Sequence, residues 1–202
     1  ANAYAQEPNT KDKPTVLAPL EVIDFGAEHM DGLKYSRDLP ETPRLITVLP
    51  SDLLEEQGTT SLKDALKNIP GISMQAGEGN PPSGDQFKIR GFNARDDIRV
   101  DGMRDPGNYF RDPFFVEQLE VVKGPNSTFA GRGSAGGTVN FVSKQPQQQD
   151  FDRVEVGVGT DSYKRLTLDA NKKINDNSAL RLNVMKHGAD IPGRDIANED
   201  RY

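Results

Sequence analysis

The sequence predicts a small mixed α+β domain followed, from about residue 150, by the opening antiparallel strands of a β-wall. Three observations carry that reading. One amphipathic helix, Ser61 to Ile69, stands among short runs of strand character. Nineteen Gly and fourteen Pro in 202 residues supply the turns that many short strands need. Beyond residue 150, apolar and polar residues alternate with strict period two.

Residues 1–40 are rich in Pro, Asp, Glu and Lys with little periodicity, which predicts a mobile segment. Ala3-Tyr4-Ala5 has the small-x-small form left at the end of an export signal, or is a chance pair of alanines. Leu20-Glu21-Val22-Ile23 is a short extended patch within this segment. Ile46 to Leu49 reads as a strand, and Pro50-Ser51 opens a short helix that Gly58 stops. Ser61 then caps a second helix whose Leu62, Ala65, Leu66 and Ile69 form one apolar stripe, ended by Pro70-Gly71. Strand character follows at Ile72 to Gln75, Gln86 to Phe92, Ile98 to Val100, Leu119 to Lys123 and Thr138 to Ser143. The Gln147-Gln148-Gln149 tract marks a boundary, dividing the chain into 1–40, 41–149 and 150–202.

In the last part Val154, Val156 and Val158 alternate with Arg153, Glu155 and Gly157; Leu166, Leu168 and Ala170 with Arg165, Thr167 and Asp169; Leu180, Leu182 and Val184 with Arg181, Asn183 and Met185. Three such strands, with an outer loop beginning near Gly188, fit either a transmembrane barrel with apolar side chains outward or a soluble meander with one wet face. No run approaches the roughly 20 apolar residues of a membrane helix, so a membrane association would need a barrel, an anchor or a partner.

Composition narrows the chemistry. A formal net charge of -6 disfavours nucleic acid as a partner. Zero Cys and only His29 and His187 leave no disulfide, no thiolate nucleophile and little prospect of a protein-held transition metal. Gly131, Gly133 and Gly136 match the G-x-G-x-x-G spacing of a dinucleotide loop, but Thr138 to Val142 after them is β-branched, and that chemistry requires a helix there. The glycines are better explained by tight turns and close backbone approach. Ser134 has no neighbouring base to activate it, so the chain is not read as an enzyme.

Several blocks carry a resemblance: Asp64 to Ile72, Phe87-Lys88-Ile89-Arg90-Gly91-Phe92, Val100-Asp101-Gly102, Glu117 to Pro125, Gly131 to Asn140 and Val142 to Pro146. In this order and spacing they closely resemble the signature blocks of the TonB-dependent receptor plug. The resemblance implies an α+β plug domain of short strands and short helices, followed by the first strands of a truncated transmembrane barrel. In that family the plug sits inside a barrel of twenty-two strands.

The resemblance further implies TonB-dependent uptake of a ferric siderophore across the bacterial outer membrane, with the N-terminus periplasmic. The siderophore is the transported ligand; no covalently bound cofactor is expected. Leu20, Glu21, Val22 and Ile23 become the candidate box for TonB, energised by ExbB and ExbD, and would add as a strand to the partner. Arg90 and Lys123, each expected on a strand, match two basic positions that pair with acidic residues inside the wall; the family more often has Arg at the second. Arg95, Arg104, Tyr109, Phe110 and Arg111 fall in outward-facing loops suited to an anionic, flat-ringed catecholate complex through charge and stacking. A ligand-sensing signalling receptor, or uptake of haem, cobalamin or another metal chelate, are the alternatives on the same plug.

Overall fold

The computed structural model describes residues 45–75, 84–125, 135–190 and 198–201. The export-signal reading and Leu20 to Ile23 lie outside the described residues.

Leu45–Pro50 forms β1, and Ser51–Glu56 forms α1, which Gly58 ends at φ +59 by donating its N–H to the Glu55 carbonyl at 2.9 Å. Leu62–Leu66 forms α2, with Ser61 Oγ accepting from the Asp64 N–H at 3.1 Å. The helix is shorter than its apolar stripe. Ile69 reaches the core from a turn in which its N–H bonds to the Leu66 carbonyl at 3.1 Å. Hydrophobic spacing reports which side chains are buried, whereas the hydrogen-bond ladder sets where the helix ends.

Seven short strands complete the domain: β2 (Ile72–Met74), β3 (Phe87–Ile89), β4 (Phe92–Asn93), β5 (Ile98–Val100), β6 (Met103–Arg104), β7 (Val116–Lys123) and β8 (Gly137–Ser143). They form a five-stranded sheet ordered β1-β7-β8-β5-β6 and a three-stranded sheet ordered β2-β3-β4. The expected single strand from Gln86 to Phe92 is instead a hairpin. Arg90 (φ +52) and Gly91 (φ +85) both adopt positive φ, the pair of values a two-residue hairpin turn requires. Arg90 is therefore at a turn and not on a strand. Asp101 (φ +49) and Gly102 (φ +76) repeat the device between β5 and β6.

One face of the larger sheet packs Leu119, Val121, Val139, Phe141 and Ile98 against Leu54, Leu62, Leu66, Phe87 and Ile89. The alternate residues carry polar groups that satisfy one another: Gln118 and Asn140 donate to the two oxygens of the fully buried Glu120 at 3.0 and 2.9 Å.

The rest of the chain is an antiparallel wall ordered β12-β11-β10-β9, formed by β9 (Phe151–Val158), β10 (Lys164–Asn175), β11 (Ser178–Asp190) and β12 (Asn198–Arg201). Gly188 does not begin a loop. The ladder continues to Asp190, where β12 pairs with β11 and His187 stands opposite Arg201. Alternation fades at Gly188-Ala189-Asp190 while backbone pairing continues, which is why the pattern stopped early. Val154, Val156, Val158 and Leu180 are 60%, 73%, 80% and 62% exposed on the outward face, while Asp169, Asn171, Met185 and His187 are buried on the inward one. An apolar face left open beside a buried polar one is the pattern of a lipid-facing barrel wall.

The wall also has a direction. The tight turn at Asp176 and Asn177 and the entry from the compact domain lie at one end, and the connection 159–163 lies at the other. In transmembrane barrels the longer connections face outward.

Candidate functional site

Between β6 and β7 the chain runs over the domain at the end nearer the 159–163 connection, where Asp112 meets Arg165 near the start of β10. Its organiser is Arg111. The side chain is 3% exposed, and every guanidinium nitrogen is engaged. Nε donates to Asp105 Oδ2 at 3.0 Å, Nη1 to Asp85 Oδ2 at 3.2 Å and the Tyr109 carbonyl at 3.3 Å, and Nη2 to the carbonyls of Asp105 at 3.1 Å and Gly107 at 2.9 Å. The guanidinium also lies 4.1 Å from the centre of the Tyr109 ring, whose hydroxyl donates to Asp105 Oδ2.

Gly84 closes this packing from below. At φ +86, a Cβ there would sit 2.6 Å from the Tyr109 nitrogen. Burial lifts the Asp85 carboxyl above its ordinary value, which the bonds from Arg111 only partly offset. Burial also pushes Asp105 up, but the bonds from Tyr109 and Arg111 outweigh it and the net shift is downward. Burial and the Asp105 carboxylate raise the Tyr109 phenol.

The five expected ligand-facing residues therefore divide. Tyr109 and Phe110 are half-exposed, at 49% and 51%. Arg104 is exposed, with Nε donating to the Asp96 carbonyl at 2.7 Å, and Arg95 Nε lies 3.5 Å from Asp96 Oδ1, so the two cations converge on one short turn. Arg111 is the correction. With its donors spent inside the loop, it shapes the surface and does not present a charge to it.

A second set of residues seats the domain against the wall. Arg165 of β10 donates through both Nη atoms to the two oxygens of Asp112, each at 2.7 Å, and Arg201 of β12 adds a 3.4 Å contact. Nearer the other end, Arg181 of β11 grips Asp169 of β10 at 2.8 and 2.7 Å and reaches Glu117 at 3.2 Å, while Lys144 meets Asp169 at 3.0 Å. Arg153 of β9 holds Glu55 of α1 at 3.0 Å. A cleft of about 240 Å³ remains between these groups, lined by Leu54, Lys144, Arg153, Glu155, Arg165 and Asp169 among others.

Arg90 and Lys123 come together although they are far apart in sequence. The Arg90 guanidinium lies over Gly124, 3.2 Å from where a Cβ would stand. Lys123 is buried, and burial, then the charge of Arg90, pushes its ammonium below the ordinary lysine value. Among the described residues neither has an acidic partner.

At the third glycine of the G-x-G-x-x-G spacing a Cβ would meet the Ile89 carbonyl oxygen at 2.4 Å, and at Gly137 the Val122 carbonyl oxygen at 2.1 Å. A strand follows, not a helix. Close backbone approach accounts for Gly136 and Gly137, and the strand that opens at Gly137 stands where a pyrophosphate site needs a helix N-terminus. Among the described residues no group of His, Asp and Glu is placed to hold a metal ion.

Sequence reasoning missed Asp85, Asp105 and Asp112, and the roles of Arg165 and Arg181. One signal was available. Arginines at inward positions of an alternating wall need carboxylates opposite them, and Asp112 and Glu117 border the strand that enters the sheet.

The TonB-dependent receptor plug domain model matches residues 38–138. The chain is 45% identical over 186 residues to a probable TonB-dependent receptor, BfrD, of Bordetella pertussis, covering 92% of this chain and 25% of the relative. It is 38% identical over 205 residues to the catecholate siderophore receptor Fiu of Escherichia coli K12, covering 100% of this chain and 27% of that protein. Among solved structures, the closed form of the Escherichia coli K12 ferric-catecholate import receptor Fiu superposes with a TM-score of 0.81 at 39% identity, over 86% of this chain and 25% of that one. The siderophore receptor PiuA of Acinetobacter baumannii superposes with 0.79 at 37% identity, over 85% and 24%. The chain thus spans about a quarter of the length of these relatives.

Proposed function

The chain belongs to the TonB-dependent receptors, of which it carries the plug domain and barrel-type strands, and from that premise we propose that it serves TonB-dependent uptake of a ferric siderophore across the bacterial outer membrane. The observation that carries this reading is the seating of the plug. Its charged residues Glu55, Asp112, Glu117 and Lys144 meet the inward charges of a wall whose other face is apolar and open. Such a domain closes a channel and offers its outer loops to a ligand.

In this reading Arg95, Arg104, Tyr109 and Phe110 contact the ligand, and Arg111 holds their loop in shape. An anionic tris-catecholate suits two converging cations beside two half-exposed rings. Leu20 to Ile23 forms the box that TonB, energised by ExbB and ExbD, pulls on from the periplasm. Arg90 and Lys123 pair with acidic residues of the wall, which would relieve the unfavourable meeting of two cations. No reaction is catalysed.

The test is uptake of radiolabelled ferric catecholate by cells whose only such receptor is the full-length protein. Uptake should require TonB and be lost when Val22 and Ile23 are replaced by proline. Uptake that persists without TonB would contradict the reading.

A further inference from the structure

We propose that Asp112 is a positioning residue for the ligand-facing loop, holding Tyr109 and Phe110 in place by anchoring the loop to two wall strands; this rests on the receptor reading above. The Asp112 side chain is 4% exposed and its carboxylate is surrounded. Both oxygens take the Arg165 fork at 2.7 Å, Oδ2 takes Arg201 at 3.4 Å, and Oδ1 also accepts the Phe114 N–H at 3.1 Å, capping the short 3-10 turn Pro113–Phe115. Arg201 reaches further, to the Thr60 carbonyl at 2.8 Å. One carboxylate thus ties β10 and β12 to the chain just before β7.

Asp112 directly follows Arg111, and its backbone is extended at φ -104, ψ 131. Successive side chains of extended backbone point opposite ways. Arg111 accordingly turns into the loop, engaging Asp85, Asp105 and the Tyr109 carbonyl, while Asp112 turns to the wall. The Arg111 carbonyl also accepts the Leu62 N–H at 3.0 Å, fixing the junction to the start of α2. Two adjacent residues with three rigid anchors leave the junction little freedom, and a bidentate arginine–carboxylate pair fixes direction as well as distance. Losing the Arg165 fork frees the junction and, through Arg111, the rings the ligand meets. The pairs of Arg181 with Asp169 and Glu117 hold the sheet elsewhere and do not touch this loop.

The experiment uses the full-length receptor in lipid, with a nitroxide label on a cysteine introduced by Phe110→Cys, and separately unlabelled protein titrated with the ferric complex of 2,3-dihydroxybenzoate. Asp112→Asn and Arg165→Gln should each sharpen the label's spectrum toward a mobile state and weaken ligand binding roughly tenfold, the scale of one lost charge-assisted pair. Arg165→Lys, which keeps the charge without the fork, should recover part of both. Arg181→Gln, which breaks a pair away from this loop, should change the label and the affinity far less. Because Arg165 lies on the wall, its variants test the tie even if Asp112→Asn folds poorly. An immobile label in Arg165→Gln, equal mobilisation by Arg181→Gln, or mobilisation without loss of affinity would each overturn the proposal. If the wild-type protein ignores the ferric catecholate while the spectra change as expected, the anchoring holds and the ligand class is wrong.

Discussion

Arg111 and Asp105 make up the most concentrated electrostatic feature of the loop between β6 and β7. The Asp105 carboxyl sits below its ordinary 3.8, so the stability it contributes is fully present above pH 3.8 and is lost as pH falls through its lower folded-state value. Asp105→Asn should therefore reduce amide-exchange protection of the Asp85 and Arg111 N–H groups at neutral pH by about 1–3 kcal/mol. The difference from wild type should vanish in acid below the folded-state value. A difference that survives there would mean the carboxylate is not the cause. Lys123 carries the opposite sign of argument. Its ammonium is held below 10.5 by burial and by Arg90, so its charge opposes folding at neutral pH and the penalty is relieved as pH rises. Lys123→Met should raise exchange protection at the Lys123 end of β1 and β7 by about 1 kcal/mol or more in this 202-residue chain. In the full receptor, where the proposed acidic partners are present, the same change should lower it.

At the scale of elements, glycine and the two-residue turns decide the geometry of the domain. Gly137 faces the Val122 carbonyl so closely that Gly137→Ala must part β7 from β8 at their Lys123–Gly137 pair. We expect a loss of about 1–3 kcal/mol, read as faster exchange along the start of β8. Gly84→Ala should act locally, displacing Tyr109 without disturbing the sheet, and loss of the Arg111 N–H protection with β7 unchanged would be its signature. The helix stripe of Leu62, Ala65, Leu66 and Ile69 was legible because burial follows hydrophobic spacing, and all four are in the core. The wall faces were legible for the same reason. The hairpins were not, although Asp101-Gly102 between strand runs is a strong local sign of a two-residue turn. Arg111 reads as a ligand contact from a turn-rich stretch that joins two arginines to two aromatics and resembles an outward-facing plug loop. Its burial depends on Asp85, twenty-six residues away, and no local pattern encodes that contact.

At the scale of the molecule, the inward charges of the wall and the outer charges of the domain form one seam, with forks at Arg165–Asp112 and Arg181–Asp169. Breaking a buried pair by removing one partner costs about 3–5 kcal/mol, so Asp169→Ala, which takes the fork from Arg181 and leaves it Glu117 and the Gln145 carbonyl, and leaves Lys144 only a 3.9 Å contact with Glu55, should loosen β10 and β11 from the domain far more than the exposed change Lys172→Ala. Limited proteolysis near Gln147 to Gln149 would report it, with Asp169→Ala cut faster and Lys172→Ala cut as wild type. On the proposed function the opposite face of the wall meets lipid. Placing single fluorescent labels along β9, β10 and β11 of the full receptor in bilayers carrying lipid-phase quenchers tests this most directly. Labels replacing Val154, Val156, Leu182 and Val184 should be quenched, and those replacing Thr167 and Asn183 should be shielded. Equal quenching on both faces, or none on the valine and leucine rows, would contradict a domain seated inside a lipid-facing wall.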